Sequence, residues 1–276
     1  MKTGGTVREN LIETASELAC VSGDDAGFEA RELLCFVLGK DSLSYSDREK
    51  FLTPEQKNLL ENLIKKRLAR EPLQYILGSW EFMGLPFKVS PSVLIPRQDT
   101  ETLCEEAENF IRRKHFKNLL DICTGTGCIG ISLAVRCAVK VTLTDISSEC
   151  LELAKQNAEI NGISCQIQKS DLFSDIKGRF DIITANPPYI ASGVIKTLSP
   201  EVRKEPVSAL DGGADGLDFY RRLAEDFPPH LNEGGVFLTE IGFDQGKSVC
   251  EIFRGYGKIT LKQDLCGNDR VVIVET

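Results

Sequence analysis

The sequence contains only two histidines, His115 and His230, in 276 residues. A zinc site or a histidine-dependent catalytic triad therefore has little material to draw on. The ten cysteines form no Cys-x-x-Cys pair, and no run approaches the ~18 consecutive apolar residues of a membrane-spanning helix. The stretch 1–5 has no apolar core of the kind found in signal peptides. We therefore expect reduced thiols, a cytoplasmic location, no metal ion and no membrane span.

Basic residues are outnumbered by acidic ones, 33 Lys and Arg against 41 Asp and Glu, which gives a formal net charge of -8. A broad basic surface for nucleic acid is not expected, and the one dense cationic run, 112–117, is explained by the solvated end of a helix. The length favours one domain with a smaller companion. We expect a monomer that makes no direct contact with nucleic acid.

Residues 1–71 show the apolar spacing of helices. Thr53, Pro54 and Glu55 follow the pattern of an N-cap, a first-turn proline and an early acid, which predicts a helix running toward Leu68. We interpret this region as a small helical domain that recognises a partner. A purely stabilising cap is the alternative.

Residues 72–96 change to short β-type runs broken by glycine and proline, which predicts a β-hairpin linker. From 97 to 276, strands and helices alternate, and this pattern is typical of an α/β fold with a mainly parallel sheet covered on both faces. A short link before the last strand predicts an antiparallel finish. The predicted strands are 118–122, 139–145, 163–168, 180–185, 234–240, 257–263 and 269–275.

The tetrapeptide Asn186-Pro187-Pro188-Tyr189 follows the apolar strand 180–185. Open α/β folds bind ligands at the carboxyl ends of their strands, and here an amide side chain fixed by two prolines offers hydrogen-bond acceptors. Such acceptors suit a planar NH2 group whose lone pair is delocalised. By holding both N–H bonds out of plane, they would favour a pyramidal, nucleophilic nitrogen, which is selective binding of the transition state.

A glycine-rich turn, Gly125-x-Gly127-x-x-Gly130, lies between a predicted strand and helix, and Asp145 ends the next strand. This pattern suits a dinucleotide or S-adenosylmethionine, because both need close backbone approach and an acid for ribose hydroxyls. Three features favour S-adenosylmethionine: an acid before the glycines at Asp121, a polar and apolar pair after the third strand in 170–173, and the tetrapeptide itself.

With both motifs placed, the chain resembles the class I, Rossmann-like methyltransferases, and specifically the release factor glutamine methyltransferases. Members of this family methylate the glutamine of the Gly-Gly-Gln loop in peptide chain release factors. Because adenine-specific DNA methyltransferases share the tetrapeptide, the similarity depends on further motifs along nearly the whole chain. These are residues 70–78, 93–101, Glu205-Pro206, 209–213, 215–218 and 267–270.

The resemblance implies S-adenosyl-L-methionine as cofactor and a role for each site residue. Asp145 would bind the ribose, and Asp171 and Leu172 the adenine. Asn186 would lie beside the cofactor and accept one substrate N–H, the Pro187 carbonyl would accept the other, and Tyr189 with Pro188 would shape the substrate pocket. The methionine portion would lie on the turn formed by Cys123, Thr124, Gly125, Thr126 and Gly127.

Two positions depart from the family pattern, which usually has glycine at Cys123 and a second proline at Gln98. The first affects how closely the cofactor can lie against the backbone. Arg97 has two open interpretations, as a substrate-binding residue folded over the pocket or as a partner in a structural ion pair.

We predict in-line attack of the substrate amide nitrogen on the cofactor's methyl carbon, without a covalent enzyme intermediate. Three alternatives remain open from the sequence. An amino-methyltransferase acting on adenine or guanine would use the same acceptors on a flipped base. An oxidoreductase would use the glycine turn for a nicotinamide dinucleotide, and a non-enzymatic module would bind a translation factor through its helical N-terminus.

Overall fold

A computed structural model of the protein describes residues 5–276, so the part of the N-terminal prediction that concerns residues 1–4 lies outside the described residues. The chain divides into two compact units. The first runs to Gly78 and includes Pro200–Lys204, and the second comprises Ser79–Ser199 and Glu205–Thr276. The domain limits at 71 and 96 stay a prediction.

The first unit is helical, and its helices begin where side-chain caps satisfy free backbone N–H groups. The Thr53 hydroxyl accepts from the Gln56 N–H and the Gln56 side chain accepts in return, which confirms the predicted helix start. Thr6 and Glu9 form the same reciprocal cap. The helices are α1 (Val7–Ser22), α2 (Ala26–Leu38), α3 (Pro54–Leu68) and α4 (Leu73–Leu77).

A buried ion-pair network joins distant parts of the first unit. Arg67 is 5% exposed and pairs with Glu29 at 2.8 Å and with Glu201 at 3.0 Å. Arg70 reaches the same Glu201 oxygen at 3.0 Å. Because a buried charge without a partner is costly, these pairs require Glu201 to be part of the unit although it lies far away in sequence.

The second unit begins with a hairpin of β1 (Ser79–Phe82) and β2 (Leu85–Lys88). Within the described residues its main sheet has the strand order β5-β4-β3-β6-β7-β9-β8. The strands β3 to β7 are parallel, whereas β9 is antiparallel to both β7 and β8. The main-sheet strands are β3 (Asn118–Ile122), β4 (Lys140–Asp145), β5 (Gln166–Lys169), β6 (Phe180–Ala185), β7 (Leu231–Glu240), β8 (Lys258–Gln263) and β9 (Asp269–Glu275).

This topology confirms the predicted fold class, including the antiparallel last strand. The predicted strand 163–168 lies instead at Gln166–Lys169, and the strand predicted from 234 begins at Leu231. The glycine pair 234–235 interrupts the apolar pattern there, so the start of β7 was not visible in the sequence. The helices of this unit are α5 (Glu101–Lys114), α6 (Cys128–Cys137), α7 (Ser148–Ile160), α8 (Asp218–Asp226) and α9 (Gly246–Ile252).

The sheet is buried on both faces, as expected for parallel strands rich in aliphatic residues. One face packs on α5, α6 and α7, and the hairpin contributes Phe82 and Phe87 to that core. The other face packs on α8 and α9 through aromatic residues that include Tyr220 and Phe253. The central strands are therefore rigid, and the residues that follow their carboxyl ends have fixed positions.

Within residues 5–276, every helix is too short or too polar to traverse a lipid bilayer. The same residues contain no group of three or more histidine, cysteine or acidic side chains arranged to hold a metal ion. All ten cysteines are free thiols.

Candidate active site

A cavity of about 620 Å³ opens at the carboxyl ends of the parallel strands in the second unit. Most of the residues predicted for the site line this cavity. Gly127, Pro187 and Tyr189 are not among the lining residues in the part of the chain that the structure describes. The predicted residues in the wall are Arg97, Cys123, Thr124, Gly125, Thr126, Asp145, Asp171, Leu172, Asn186 and Pro188.

The three glycines of the turn serve different purposes. Gly125 has φ +53°, and a Cβ added to it would meet no atom within 4 Å, so open space lies against this backbone. A Cβ on Gly127 would lie 2.7 Å from Ile131, and one on Gly130 would lie 2.4 Å from Leu143. Gly125 is therefore the position suited to close ligand approach, whereas the other two glycines permit tight packing.

Cys123 adopts a backbone conformation that favours glycine. Its φ is +55°, in the left-handed region, and its side chain packs against the core beside α8 and α9. A residue with a Cβ in this region bears a steric cost. Cysteine at this position is therefore accommodated with strain.

Asp121 supports the turn from below. Its side chain is fully buried and accepts hydrogen bonds from the Thr184 hydroxyl at 2.7 Å and the Gly130 N–H at 3.3 Å, as well as from Thr124. Burial raises the pKa of Asp121 to about 6. Asp121 does not line the cavity among the described residues, so its contacts hold the turn in place and do not reach a ligand directly.

Asp145 ends β4 and faces the cavity with its oxygens already engaged by backbone donors. Oδ2 accepts from the Gly125 N–H and Oδ1 from the Ser147 N–H, each at 2.9 Å. The Ile146 N–H and the Cys150 thiol also interact with this carboxylate, so ribose hydroxyls would share its lone pairs with them. Burial raises the pKa of Asp145 above its ordinary value. The next residue, Ile146, lines the cavity with 59% of its surface exposed and was missed by the sequence reasoning.

The loop after β5 places Leu172 and Asp171 in the cavity wall. Leu172 is buried with φ +51°, and its carbonyl accepts from the Ser170 hydroxyl at 2.8 Å, which fixes this turn. The Asp171 carboxylate pairs with Arg222 at 2.8 Å, and both side chains are about half exposed. Any contact of Asp171 with a ligand would therefore compete with this ion pair.

Asn186 follows β6 and has its amide orientation set by its neighbours. Nδ2 donates to Glu240 Oε2 at 3.0 Å and lies 3.4 Å from Thr100 Oγ1. Oδ1 is buried and has no hydrogen-bond partner within residues 5–276. A buried acceptor without a donor is costly, and such groups are rare outside functional sites. The Asn186 carboxamide therefore has one strong acceptor, Oδ1, that is not used by the described residues.

Glu240 is a site residue that the sequence reasoning missed. Strand register explains its position, because Ala185 pairs with Thr239 in parallel and Asn186 and Glu240 come next. The Tyr189 hydroxyl donates to the other Glu240 oxygen at 3.2 Å, and burial raises the tyrosine pKa. The available signal was an acid at the end of a predicted strand, since neighbouring parallel strands end at one edge.

Arg97 forms the ion pair of one predicted interpretation, while its substrate-binding role stays a prediction. It lines the cavity, and its guanidinium is paired with Glu205, whose side chain is 1% exposed. The same carboxylate accepts from the Ile95 N–H at 3.2 Å. This pair therefore ties residues 95–97 to the loop at Glu205 beside the cavity.

These observations fit S-adenosylmethionine. The open space against Gly125, the Asp145 carboxylate and the apolar surfaces of Ile146 and Leu172 match the amino acid, ribose and adenine parts of such a molecule. Asn186 lies in the same wall. The cavity thus combines a nucleoside-type site with an unpartnered amide oxygen.

Comparisons with known proteins place the chain in a family. Residues 100–210 match the Methyltransferase small domain, and residues 9–78 match the PrmC N-terminal domain. A release factor glutamine methyltransferase of Geobacter sulfurreducens is 42% identical over 97% of this chain and 95% of its own length. The enzyme of that name from Agrobacterium fabrum is 39% identical over 99% of each chain.

Solved structures agree on the fold. A methyltransferase from Pyrococcus furiosus has 22% identity and a TM-score of 0.51, covering 80% of this chain and 97% of that one. The hMettl16 catalytic domain has 17% identity and a TM-score of 0.55, covering 85% and 86%. The predicted resemblance and the predicted class of enzyme are confirmed. The chain belongs to the release factor glutamine methyltransferase family.

Proposed function

We propose that the protein transfers a methyl group from S-adenosylmethionine to the side-chain nitrogen of the glutamine in the Gly-Gly-Gln motif of peptide chain release factors. The observation that carries this proposal is the Asn186 carboxamide. Its Nδ2 is held by Glu240, while its Oδ1 has no partner within residues 5–276. Relatives named for this reaction match nearly the whole chain.

The cofactor would lie along the turn from Cys123 to Gly127, with its ribose at Asp145 and its adenine near Asp171 and Leu172. When bound, S-adenosylmethionine supplies an electrophilic methyl carbon and a thioether leaving group. Arg97 would help to close the substrate side of the cavity, together with Pro188.

The substrate nitrogen must become nucleophilic, because its lone pair is delocalised into the amide carbonyl. In our proposal Asn186 Oδ1 accepts one N–H and the Pro187 carbonyl accepts the other, while Tyr189 restricts the amide plane. These acceptors favour a pyramidal nitrogen and stabilise the positive charge that develops on it. With the cofactor bound, the nitrogen would lose its proton only after it has accepted the methyl group, so no residue has to act as a strong base.

Orientation would supply much of the rate, since holding two reactants in line contributes up to about 7–11 kcal/mol. Asn186 Oδ1 has almost no surface accessible to solvent. Substrate binding therefore includes a local adjustment of the wall that lets the glutamine N–H reach this oxygen. The same adjustment excludes water from the reacting atoms.

The test is methyl incorporation from radiolabelled S-adenosylmethionine into three separate substrates: purified release factor, DNA and ribosomal RNA. We expect label in the release factor alone, and no label when its Gly-Gly-Gln glutamine is changed to alanine. Label in either nucleic acid would favour the amino-methyltransferase alternative. Binding of release factor without any label would favour a non-enzymatic module.

Asn186→Ala tests the acceptor itself. We expect turnover to fall by about 10²–10³-fold, as when one preorganised hydrogen-bond partner of a transition state is removed. Affinity for S-adenosylhomocysteine, measured by calorimetry, should change little. Full turnover with unchanged cofactor affinity would exclude the acceptor role.

We further propose that the helical first unit binds the folded release factor, because a lone glutamine offers too little surface for selectivity. Ile12 and Tyr45 leave 62% and 82% of their surfaces exposed on this unit. Ile12→Ser and Tyr45→Ser should raise KM for release factor while methylation of a short Gly-Gly-Gln peptide stays unchanged. Equal losses on both substrates would make the unit a stabiliser only.

The protein would act as a monomer in the cytoplasm, without direct contact to nucleic acid. The net charge of -8 and the free thiols support this view. Light scattering on the purified protein tests the oligomeric state, and the nucleic acid arms of the methylation assay test the rest.

A further inference from the structure

Glu240 connects the two polar side chains of the tetrapeptide from behind the cavity wall. It is 1% exposed, and its two oxygens accept separately from Asn186 Nδ2 at 3.0 Å and from the Tyr189 hydroxyl at 3.2 Å. It is not among the cavity-lining residues that the structure describes. Glu240 therefore acts on any substrate only through other side chains.

A carboxamide has two ends of nearly equal size, and rotation by 180° exchanges an acceptor for a donor. A carboxylate accepts hydrogen bonds and repels another acceptor. If the Asn186 amide turned over, Oδ1 would face Glu240 Oε2 with no proton between them, and the NH2 group would take the place of Oδ1. Thr100 supports the same orientation, because its hydroxyl donates to Glu240 and can then only accept from Asn186.

We propose that Glu240 is the positioning residue that fixes Asn186 with its oxygen, and not its NH2 group, available to the substrate amide. This inference rests on the proposed function, because a glutamine NH2 group requires acceptors. In the opposite orientation, the two N–H donors of Asn186 would face the two N–H donors of the substrate amide. Glu240 thereby selects the substrate's chemical type without contacting it.

Several neighbours of Glu240 favour the carboxylate form that the role requires, against the effect of burial. Burial raises the pKa of Glu240, and the nearby Arg270 opposes that effect. Arg270 is 7% exposed and is held by Asp264 and Asp99, each at 3.1 Å. The carboxylate thus faces one buried cation and two hydroxyl-bearing side chains, Tyr189 and Thr100.

Glu240→Gln removes the carboxylate that distinguishes the two orientations of the Asn186 amide, and it keeps the shape of the side chain at position 240. The new carboxamide can present its own NH2 group to Asn186, which then turns its oxygen toward position 240. We expect kcat to fall by about tenfold or more, within the range seen when a transition-state hydrogen bond is lost. KM for release factor and affinity for S-adenosylhomocysteine should stay within about threefold, because neither ligand touches position 240.

The exchange variant Asn186→Asp/Glu240→Gln separates positioning from support of the fold. It keeps one carboxylate and one carboxamide in contact, and the carboxylate introduced at position 186 offers an acceptor oxygen in either orientation. We expect the double variant to be several-fold faster than Glu240→Gln and faster than Asn186→Asp, in which two carboxylates meet. If Glu240→Gln fails to fold, the double variant and Asn186→Asp still give this comparison.

A second readout is independent of turnover. In protein labelled with 15N-asparagine, the Asn186 NH2 signals are identified by their absence in Asn186→Asp. We expect them to be protected from exchange in the wild type and to lose that protection in Glu240→Gln.

Wild-type kcat in Glu240→Gln, unchanged protection of the signals, or a double variant no faster than the single variants would each overturn the inference. A wild-type protein that methylates no release factor would instead refute the proposed function, and the exchange experiment would still report on Glu240.

Discussion

The backbone N–H of Gly125 donates to Asp145 Oδ2 at 2.9 Å, which fastens the first turn of the cavity to the end of the neighbouring strand. The same acid, which we propose binds ribose, therefore also fixes the turn on which the amino acid part of the cofactor would lie. Because one side chain serves both purposes, changes at either residue should affect ligand binding before they affect the core.

Gly125→Ala and Gly130→Ala form a matched pair. At Gly125 the added methyl enters open space at φ +53°, so we expect at least a tenfold loss of S-adenosylhomocysteine affinity and a stability cost of only about 1–2 kcal/mol. At Gly130 the methyl meets Leu143 at 2.4 Å, so overpacking should cost about 1–3 kcal/mol. Calorimetry and denaturant unfolding distinguish the two effects. Equal changes in affinity would show that both glycines only pack the helix.

Cys123 offers a test of backbone strain. Because φ is +55°, Cys123→Gly should be more stable than Cys123→Ala by about 1 kcal/mol, although both variants lose the thiol. The comparison cancels the packing contribution of the sulfur, and urea unfolding measures the difference. An alanine variant as stable as the glycine variant would mean that the turn relaxes to negative φ.

Asp121 should give the protein a defined pH response. Burial raises its pKa from 3.8 to about 6, so the folded state binds this proton more tightly than the unfolded chain. Its contribution to stability is present below the unfolded pKa and is lost as pH rises through about 6. From pH 4 to pH 7, the free energy of unfolding of the wild type should therefore fall relative to that of Asp121→Asn, by up to about 3 kcal/mol.

The exposed Asp244→Asn variant is the control for this measurement, since it removes a carboxylate without changing the core. A difference between Asp121→Asn and wild type that is constant with pH would contradict the assigned cause.

Ser132 lies fully buried in α6, and its hydroxyl has no hydrogen-bond partner within the described part of the chain. Burying an unpaired hydroxyl costs about 1–3 kcal/mol, and alanine fits the same space. We expect Ser132→Ala to be as stable as wild type or more stable by up to about 1 kcal/mol. Thermal unfolding checks this, and a clear loss of stability would indicate a bound water or a partner hydroxyl.

The sequence was most informative where one chain segment determines its own structure. Apolar runs such as 118–122 and 180–185 have the same bounds as the strands they predicted, and the cap at Thr53 needs only the next three residues. Aspects that depend on strand register were hidden. Glu240 becomes a neighbour of Asn186 only after β6 and β7 pair.

The different roles of the glycines were hidden for the same reason. The spacing of the glycines is the same whether a glycine permits close ligand approach or tight packing. Only the position of Leu143 on β4 shows that Gly130 is needed for packing. Likewise, Arg97 matched two interpretations, because its partner Glu205 lies on a loop whose path no local pattern predicts.

Glu201 has a consequence for how such chains can be recombined. The helical unit includes a short peptide that lies more than a hundred positions downstream in the sequence. The folded unit therefore does not correspond to one continuous stretch of the chain. A graft ending at Gly78 would leave Arg67 with one acid instead of two. Exchanging the helical unit between homologous proteins therefore requires two coordinated transplants, the helices and the downstream pentapeptide together.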